Sequence, residues 1–321
     1  MEKHLENNSF LKTIDFSLTI CSAKKDNNGE DSFACLMDDR LALACVCDGC
    51  GGAGAKKYTA FKGKSGAYIA SRIVTGTIRD CLNDGLFLSN EDFVTSSLKK
   101  SINNNLLLAK KESGVQRGLK GELIKEFPTT LAAVLAKNSE KGNVQIQCLW
   151  AGDSRCYLLC NNGLKQLTND DLVIQDALAN LTADGVMTNC ISLSKDYQIH
   201  SRTFEVEKPC VVFAATDGCF GYFSTPMEFE YSIIHCLQYA NSIRDWEERL
   251  KNKLSLAAGD DLTMIGFAFG YGSLRQLQTS FSKRGDDLYA SYVRDLEKKT
   301  EQEKQLLWGK YKEEYSQYLK N

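Results

Sequence analysis

Residues 32–52 read SFACLMDDRLALACVCDGCGG and contain the pattern that decides the fold. Two short apolar runs, at 32–37 and 41–47, flank Asp38, Asp39 and Arg40, which favour a turn. The pattern predicts a β-hairpin. The second run ends at Asp48-Gly49, where a strand end would hold a carboxylate at the rim of a sheet and the glycine would leave room for a ligand.

Blocks of helical and strand-like periodicity extend outward from this hairpin. Apolar residues recur at helical spacing over 67–82, over 92–111 and in a region between 227 and 254. Strand-like runs lie at 16–23, 130–136, 144–150, 155–160, 199–206, 211–215 and 262–269. Strands joined by tight turns, with helices grouped between the runs, predict an α+β fold with antiparallel sheets rather than a doubly wound parallel sheet.

The C-terminal segment, residues 286–319, has no proline and one glycine, is rich in Glu, Lys and Gln, and repeats apolar residues at helix-like spacing. It predicts one long amphipathic helix. Such a helix either packs on its own domain or docks a second copy or a partner, and the sequence leaves both open. We therefore expect one large domain over 1–275 and a C-terminal helical extension over 276–321.

Composition excludes several classes of function. The net charge of −2 provides no broad basic field for nucleic acid or anionic lipid. The first ten residues lack the apolar core of a signal peptide, and no apolar run is long enough to span a bilayer. We expect a cytoplasmic protein without nucleic-acid or membrane partners.

Thirteen cysteines are scattered through the apolar runs. An odd number in a chain of this length favours reduced cysteines that act as small hydrophobic residues over a disulfide framework. The one cluster, Cys45, Cys47 and Cys50, lacks the second CxxC pair or nearby histidine that completes a zinc site. We expect nearly all of them to be core residues.

Acidic residues stand where strand-like runs begin or end: Glu30-Asp31, Asp48-Gly49, Asp217-Gly218 and Asp260-Asp261. A single Asp-Gly is more often only a turn, but four acidic sites at strand ends favour a shared function. Carboxylates without histidine or thiolate partners suit Mg(II) or Mn(II). Two such ions can activate a bridging water and neutralise phosphoryl oxygens during in-line hydrolysis.

Seven short motifs make residues 12–270 resemble the metal-dependent protein phosphatase family, type 2C, and its bacterial members in particular. In family order they are Glu30-Asp31-Ser32, Asp48-Gly49-Cys50-Gly51-Gly52, Pro128-Thr129-Thr130-Leu131, Gly152-Asp153-Ser154-Arg155, Leu167-Thr168-Asn169-Asp170, Thr216-Asp217-Gly218 and Asp260-Asp261-Leu262-Thr263. Each motif is weak alone, but the ordered set is a strong signal.

The resemblance implies a four-layer α-β-β-α sandwich of two antiparallel sheets, with a site for two Mg(II) or Mn(II) ions at one rim. Asp48 would bridge both ions, and Asp217 and Asp260 would complete the first. The second would take the carbonyl of Gly49. The remaining implied positions are Glu30 and Asp31, acting largely through water, and Asp153, which with Asp217 would hold a third, weaker ion.

The resemblance also implies a function: a protein serine/threonine phosphatase that hydrolyses phosphoserine and phosphothreonine with a metal-activated water. Its substrate would be a phosphoprotein, and a cognate serine/threonine kinase is an expected partner. Asp48, Asp217 and Asp260 would be the catalytic set. The alternative is a catalytically silent protein of the same fold, which binds metal or phosphoprotein and recruits a partner through its C-terminal helix.

Three features depart from the family pattern. Asp26 stands where many members have an arginine that grips the substrate phosphate, so Lys24 and Lys25 are the candidate phosphate-binding residues. Cys50 stands where eukaryotic members often have a histidine that acts as general acid. Between residues 170 and 191, where the family usually inserts a flap beside the active site, this chain has only a brief segment.

Overall fold

A computed structural model describes residues 9–24, 28–114, 125–139, 142–181 and 185–319. The strands are β1 Ile14–Ser22, β2 Ser32–Met37, β3 Ala42–Cys47, β4 Lys57–Tyr58, β5 Lys64–Ser65, β6 Leu131–Asn138, β7 Val144–Ala151, β8 Arg155–Cys160, β9 Gly163–Gln166, β10 His200–Val206, β11 Cys210–Ala215 and β12 Leu262–Phe269. The α-helices are α1 Gly66–Asn83, α2 Glu91–Glu112, α3 Pro226–Gln238, α4 Ile243–Ala257, α5 Leu274–Leu288 and α6 Glu301–Tyr315.

The strands form two five-stranded antiparallel sheets, and β4 pairs with β5 in a small hairpin. The first sheet has the order β1-β12-β11-β8-β9 and the second has the order β10-β7-β6-β3-β2. The hairpin predicted from residues 32–47 is β2 paired with β3, in a register that places Ser32 opposite Cys47. The antiparallel sheets predicted from the turn chemistry are therefore confirmed.

The alternation of side chains along β3 and β11 explains the layers. In β3, Ala42, Ala44 and Val46 face the space between the sheets, while the alternate residues contact α1 and α2. In β11, Val212 and Ala214 face the same central layer, and the alternate residues contact α3 to α6. Both faces of each sheet are covered, which gives the α-β-β-α sandwich that the sequence predicted.

The start of α2 shows how the sequence positions a helix. Asn90 accepts a hydrogen bond from the backbone N–H of Phe93 at 2.9 Å, and Glu91 and Asp92 occupy the first turn. A side-chain cap and acidic residues at a helix N-terminus both stabilise it.

The C-terminal helix is present as α6, but the segment before it is not continuous with it. Helix α5 ends at Leu288, a π-helical turn covers Tyr289–Val293, and Asp295 adopts a left-handed φ of 57°. The predicted single helix over 286–319 was wrong in this respect. Thr300 and Glu303 form a reciprocal capping box, which starts a new helix where periodicity alone suggested a continuous one.

Helix α6 packs on its own domain. Its side chains Trp308, Tyr311 and Tyr315 are buried in the cluster on the outer face of the first sheet. Of the two interpretations that the sequence left open, packing on the same chain is therefore the one observed. The proposed boundary at residue 275 falls in the first turn of α5, which begins at Leu274.

All thirteen cysteines are unpaired, and most of them are buried, as expected for core residues. Within the described ranges, no helix has both the length and the apolar character required to cross a bilayer.

Candidate active site

Five acidic segments meet at one rim of the sandwich. The C-terminal ends of β3 and β11 carry Asp48 and Asp217, the N-terminal ends of β2 and β12 adjoin Asp31 and Asp260, and Asp153 lies in the turn between β7 and β8. Neighbouring antiparallel strands run in opposite directions, so the end of one strand and the start of the next share one edge. The structure thus brings together the carboxylates that the sequence singled out.

Asp31 lies where the two sheets approach each other. Its Oδ2 accepts hydrogen bonds from the hydroxyls of Thr216 and Thr263, both at 2.8 Å, whereas its Oδ1 has no partner among the described residues. Burial raises the pKa of Asp31 to about 6, even though the two threonines lower it, and the charge of Asp261 adds to the rise. A buried acceptor oxygen thus remains available at the rim.

Asp48 is fixed by the two residues that immediately precede the neighbouring strand β6. Its carbonyl accepts from the backbone N–H of Thr130 at 2.8 Å and from the hydroxyl of Thr129 at 2.7 Å. Burial raises the pKa of its carboxyl well above the usual range. The remaining causes are the nearby carboxylates, in decreasing order those of Asp217, Asp31, Asp153 and Asp260. This mutual effect shows that the five carboxyl groups share one electrostatic environment.

Gly49 admits no side chain. A Cβ atom there would lie 2.7 Å from the carbonyl oxygen of Ala67 and 2.9 Å from that of Glu30. The glycine after Asp48 is therefore required for the helix α1 and the Glu30 segment to approach the strand end.

Asp217 and Asp153 show the same accumulation of negative charge. Burial and then the charges of Asp31 and Asp260 raise the pKa of Asp217 to about 6. Burial and then the charge of Asp217 raise the pKa of Asp153 to about 8, and its Oδ1 also lacks a partner among the described residues. Like charges held this close favour protonation unless a cation is present.

The loop that carries Asp153 is held by Asp171, which sequence reasoning did not identify. The Oδ2 atom of Asp171 accepts from the backbone N–H of Gly152 at 2.9 Å, and its Oδ1 lies 2.9 Å from Nε2 of His200. Asp171 follows the Leu167-Thr168-Asn169-Asp170 motif, but no motif linked it to the Asp153 loop.

The two residues of the last acidic pair have different environments. Asp261 is buried and accepts from the backbone N–H groups of Lys24 at 2.7 Å and Glu30 at 2.5 Å. Asp260 is exposed, and its Oδ1 accepts from the N–H of Asp261 at 2.8 Å. Asp261 thus holds the segment before β2 in place, while the exposed carboxylate of Asp260 can face a ligand.

Glu30 is placed by small neighbours. The hydroxyl of Ser65 donates a short hydrogen bond to its Oε1, and a Cβ atom at Gly51 would collide with its Oε2. Ser65 and Gly51 thus direct the Glu30 carboxylate, and Ser65 belongs to none of the motifs.

A buried ion pair lies beside the acidic rim. Arg155 binds Asp170 through Nε, at 3.0 and 3.1 Å, and through Nη2, at 2.6 Å. Both side chains are almost fully buried, and a paired, hydrogen-bonded geometry is the one in which buried charges are tolerated. The motifs contain both residues, but their pairing across a separation of 15 positions was missed.

Lys24 lines a cleft of about 360 Å³ together with Glu30, Lys57, Lys64 and Asp260. Lys24 thus lies beside two of the candidate metal ligands, Glu30 and Asp260. Lys25 and Asp26 lie outside the described residues. Lys57 and Lys64, from the β4–β5 hairpin, are cations of this cleft that sequence reasoning did not identify.

Cys50 lies beside Cys190. A hydrogen bond between the two thiols and burial together raise the pKa of Cys50 well above its usual range. The same bond, and Lys125 with its Nζ 3.2 Å from Sγ of Cys190, lower the pKa of Cys190 to about 6. A thiol with a raised pKa is a poor proton donor at neutral pH, so Cys50 does not reproduce the expected histidine.

The donor set suits hard divalent cations. It consists of carboxylate oxygens, two of which are buried and have no partner in the part of the chain that the structure describes, and four neighbouring carboxylates raise the pKa of Asp48. Among the described residues, no group of three or more His, Cys, Asp or Glu side chains already surrounds a single point as a metal site would.

Comparison with known proteins agrees with this geometry. A sequence model of the family Protein phosphatase 2C matches residues 22–255, well over half of the chain. No curated protein sequence matches the chain. The family match ends before α5 and α6.

Solved structures share the fold at low sequence identity. A bacterial serine phosphatase matches with a TM-score of 0.57 and 17% identity, over 79% of this chain and 97% of that one. Serine/threonine phosphatase Stp1 from Staphylococcus aureus gives 0.57 and 18%, over 84% and 99%. The catalytic domain of the serine/threonine protein phosphatase PstP, solved with two manganese ions, gives 0.50 and 17%, over 79% and 97%.

Proposed function

The chain belongs to the protein phosphatase 2C family, and on that premise we propose that it is a metal-dependent protein serine/threonine phosphatase that hydrolyses phosphoserine and phosphothreonine. The observation that carries the proposal is the convergence of Asp31, Asp48, Asp153 and Asp217, whose pKa values are all raised by burial and then by the charge of at least one neighbouring aspartate. A bound cation would offset the repulsion within such a cluster and favour its ionised form.

The ligands of two Mg(II) or Mn(II) ions would be Asp48 to both, Asp217 and Asp260 to the first, and the carbonyl of Gly49 to the second. Glu30 and Asp31 would act largely through water, and Asp153 with Asp217 would hold a third ion. When bound, the ions supply positive charge for the phosphoryl oxygens and a water of lowered pKa.

The chain's own residues orient this set. Thr216 and Thr263 fix the Asp31 carboxylate, and Thr129 and Thr130 fix the backbone of Asp48. Preorganised ligands reduce the rearrangement that binding requires. Asp261 holds the Glu30 segment by its backbone, so it positions a ligand without being one.

We also propose that Lys24 and Lys25 bind the substrate phosphate as point charges, in place of the family's arginine. Support for Lys24 comes from its position in the cleft beside Glu30 and Asp260. The substrate would be a phosphoprotein, and the proposal includes a cognate serine/threonine kinase as a partner. A catalytic domain over 1–275 with an extension over 276–321, and a cytoplasmic location, stay predictions from the sequence.

The test is release of phosphate from a phosphothreonine peptide and from p-nitrophenyl phosphate in the presence of Mn(II). The unaltered chain, Asp217→Asn and a chelated sample are compared, with Asp287→Asn on the exposed side of α5 as the matched control. We expect turnover that requires metal, is lost in Asp217→Asn and is retained in Asp287→Asn. A folded chain that binds Mn(II) yet turns over neither substrate would instead support the catalytically silent alternative.

A further inference from the structure

Helix α6 lies beyond the part of the chain that matches the family, yet it packs on elements that belong to the matching part. The family match ends at residue 255, and α6 spans Glu301–Tyr315. Its buried face, formed by Trp308, Tyr311 and Tyr315, packs beside β9 and α3 on the outer layer of the first sheet. This placement brings α6 close to residues that follow the Asp170 motif.

Two polar contacts fix the inward face of α6. The hydroxyl of Tyr311 donates a short hydrogen bond to buried Glu230, which is also paired with Arg284 at 2.7 and 3.0 Å. The hydroxyl of Tyr315 lies 3.4 Å from Nη1 of Arg155, the residue that binds Asp170. Buried hydrogen bonds to charged groups fix orientation as well as position, so α6 has one docking geometry.

A third contact reaches the segment 170–181, which we term the cleft wall. The carboxylate of Asp176 accepts from Nε1 of Trp308, at 3.1 Å to each oxygen, and from Nζ of Lys312 at 2.5 Å. Burial alone would raise the pKa of Asp176, but the bonds from Lys312 and then Trp308 lower it. The same carboxylate caps the backbone N–H groups of Leu178 and Ala179, both at 3.1 Å.

The cleft wall borders the acidic rim. Leu172, Asn180 and Leu181 line a cavity of about 280 Å³ together with Asp153 and Asp217. A substrate that enters the rim from this side must contact the wall. Since loops beside a rigid site commonly set specificity, the position of the wall matters for substrate binding.

We propose that α6 is a positioning element of the active site: by holding Asp176, it fixes the cleft wall in the position that receives the peptide around the phosphorylated residue. Asp176, Trp308 and Lys312 are then positioning residues, not catalytic ones. The inference rests on the proposed function for its substrate, but the contacts themselves do not depend on turnover.

The test compares Asp176→Ala, Trp308→Phe and Lys312→Ala in the full chain. Loss of a hydrogen-bonded charge is expected to raise KM and Kd for a phosphothreonine peptide about tenfold in Asp176→Ala, with kcat changed less than about twofold. The KM for p-nitrophenyl phosphate, which is too small to span the wall, should change less. Amide hydrogen exchange in residues 171–181 should become faster.

Two variants serve as controls. Lys310→Ala removes an exposed lysine from the same helix and should change nothing, and Lys312→Arg should keep the ion pair and the unaltered KM. The proposal is overturned if Asp176→Ala leaves amide exchange and peptide affinity unchanged, or if kcat falls on both substrates in parallel with thermal stability. Peptide affinity, measured by fluorescence anisotropy, needs no turnover, so failure of the phosphatase proposal is distinguishable from failure of this one.

Discussion

Buried or half-buried carboxylates occur in two regions of this molecule. In one region their nearest charged neighbours are negative, and in the other they are positive. At the acidic rim, burial and neighbouring carboxylates raise the pKa of Asp31 to about 6 and that of Asp153 to about 8. Around α6, Glu230 is paired with Arg284 and Asp176 with Lys312. The described residues thus supply close counter-charges near α6, whereas the repulsion at the rim is what the proposed cations would offset.

The two charge environments should affect the stability of the chain differently. An ion pair carries its own counter-charge, so removal of one partner leaves the other unpaired, whereas repulsion within a cluster of like charges is relieved only when a cation is bound. The rim is therefore a site that costs stability in the metal-free chain. Substitutions in the two regions should then change stability in opposite directions.

The largest effect is expected for Asp48→Asn. Loss of the carboxylate proposed to bridge both ions should lower kcat/KM by on the order of a thousandfold. The metal-free chain should become more stable, by on the order of 1 kcal/mol, because one like charge is removed. Phosphate release with Mn(II) and thermal unfolding in chelator measure the two effects, and a metal-free variant less stable than the unaltered chain would contradict the comparison.

The second effect concerns the paired region. Glu230→Gln removes the closer counter-charge of the partly buried Arg284, leaves it only Glu314 at 3.7 Å, and should lower the free energy of unfolding by about 3 kcal/mol. Chemical denaturation measures this loss. The double variant Glu230→Gln with Arg284→Met should recover part of the lost free energy of unfolding, because the arginine charge is also removed. If Glu230→Gln alone lowers the free energy of unfolding by less than about 1 kcal/mol, the pair is unimportant for stability.

The third effect is a pH dependence of opposite sign to that of ordinary salt-bridged acids. Asp31 and Asp217 have folded pKa values of about 6, above the usual 3.8, so the folded state binds more protons than the unfolded one. Stability of the metal-free chain should therefore fall as pH rises from about 4 through 6, by on the order of 2 kcal/mol for each of these two groups, and should fall further towards 8 through Asp153. Melting temperatures in chelator and in saturating Mn(II) test this, and the fall should be smaller with metal.

The smallest effect concerns a residue that orients the rim. Thr216→Val keeps the shape of the side chain but removes one of the two hydroxyls that fix Oδ2 of Asp31. Loss of such a partner should weaken Mn(II) binding about tenfold. Isothermal titration calorimetry measures the affinity for Mn(II). Thr95→Val, on the exterior of α2, is the matched control. Equal affinities in the two variants would show that Thr216 does not have the assigned role.

Local pattern was sufficient for most of the fold. Strand β2 was predicted with its observed bounds, and helix α1 lies within one residue of the predicted range, because period and capping act over a few neighbouring residues. The break between α5 and α6 was missed, since the capping box at Thr300 and Glu303 interrupts a periodicity that continues across it.

What the sequence determined by itself was which side chains stand at strand ends: Asp48, Asp217 and the Asp260-Asp261 pair follow or precede apolar runs, and the turn chemistry fixes antiparallel pairing. The tertiary structure decided which of these meet and with what partners. Only packing distinguishes exposed Asp260 from buried Asp261, and only packing brings Lys312 to Asp176 across 136 positions. The physical reason is that a local pattern sets direction and period along the chain, whereas burial and electrostatic pairing depend on neighbours that the chain brings from far away.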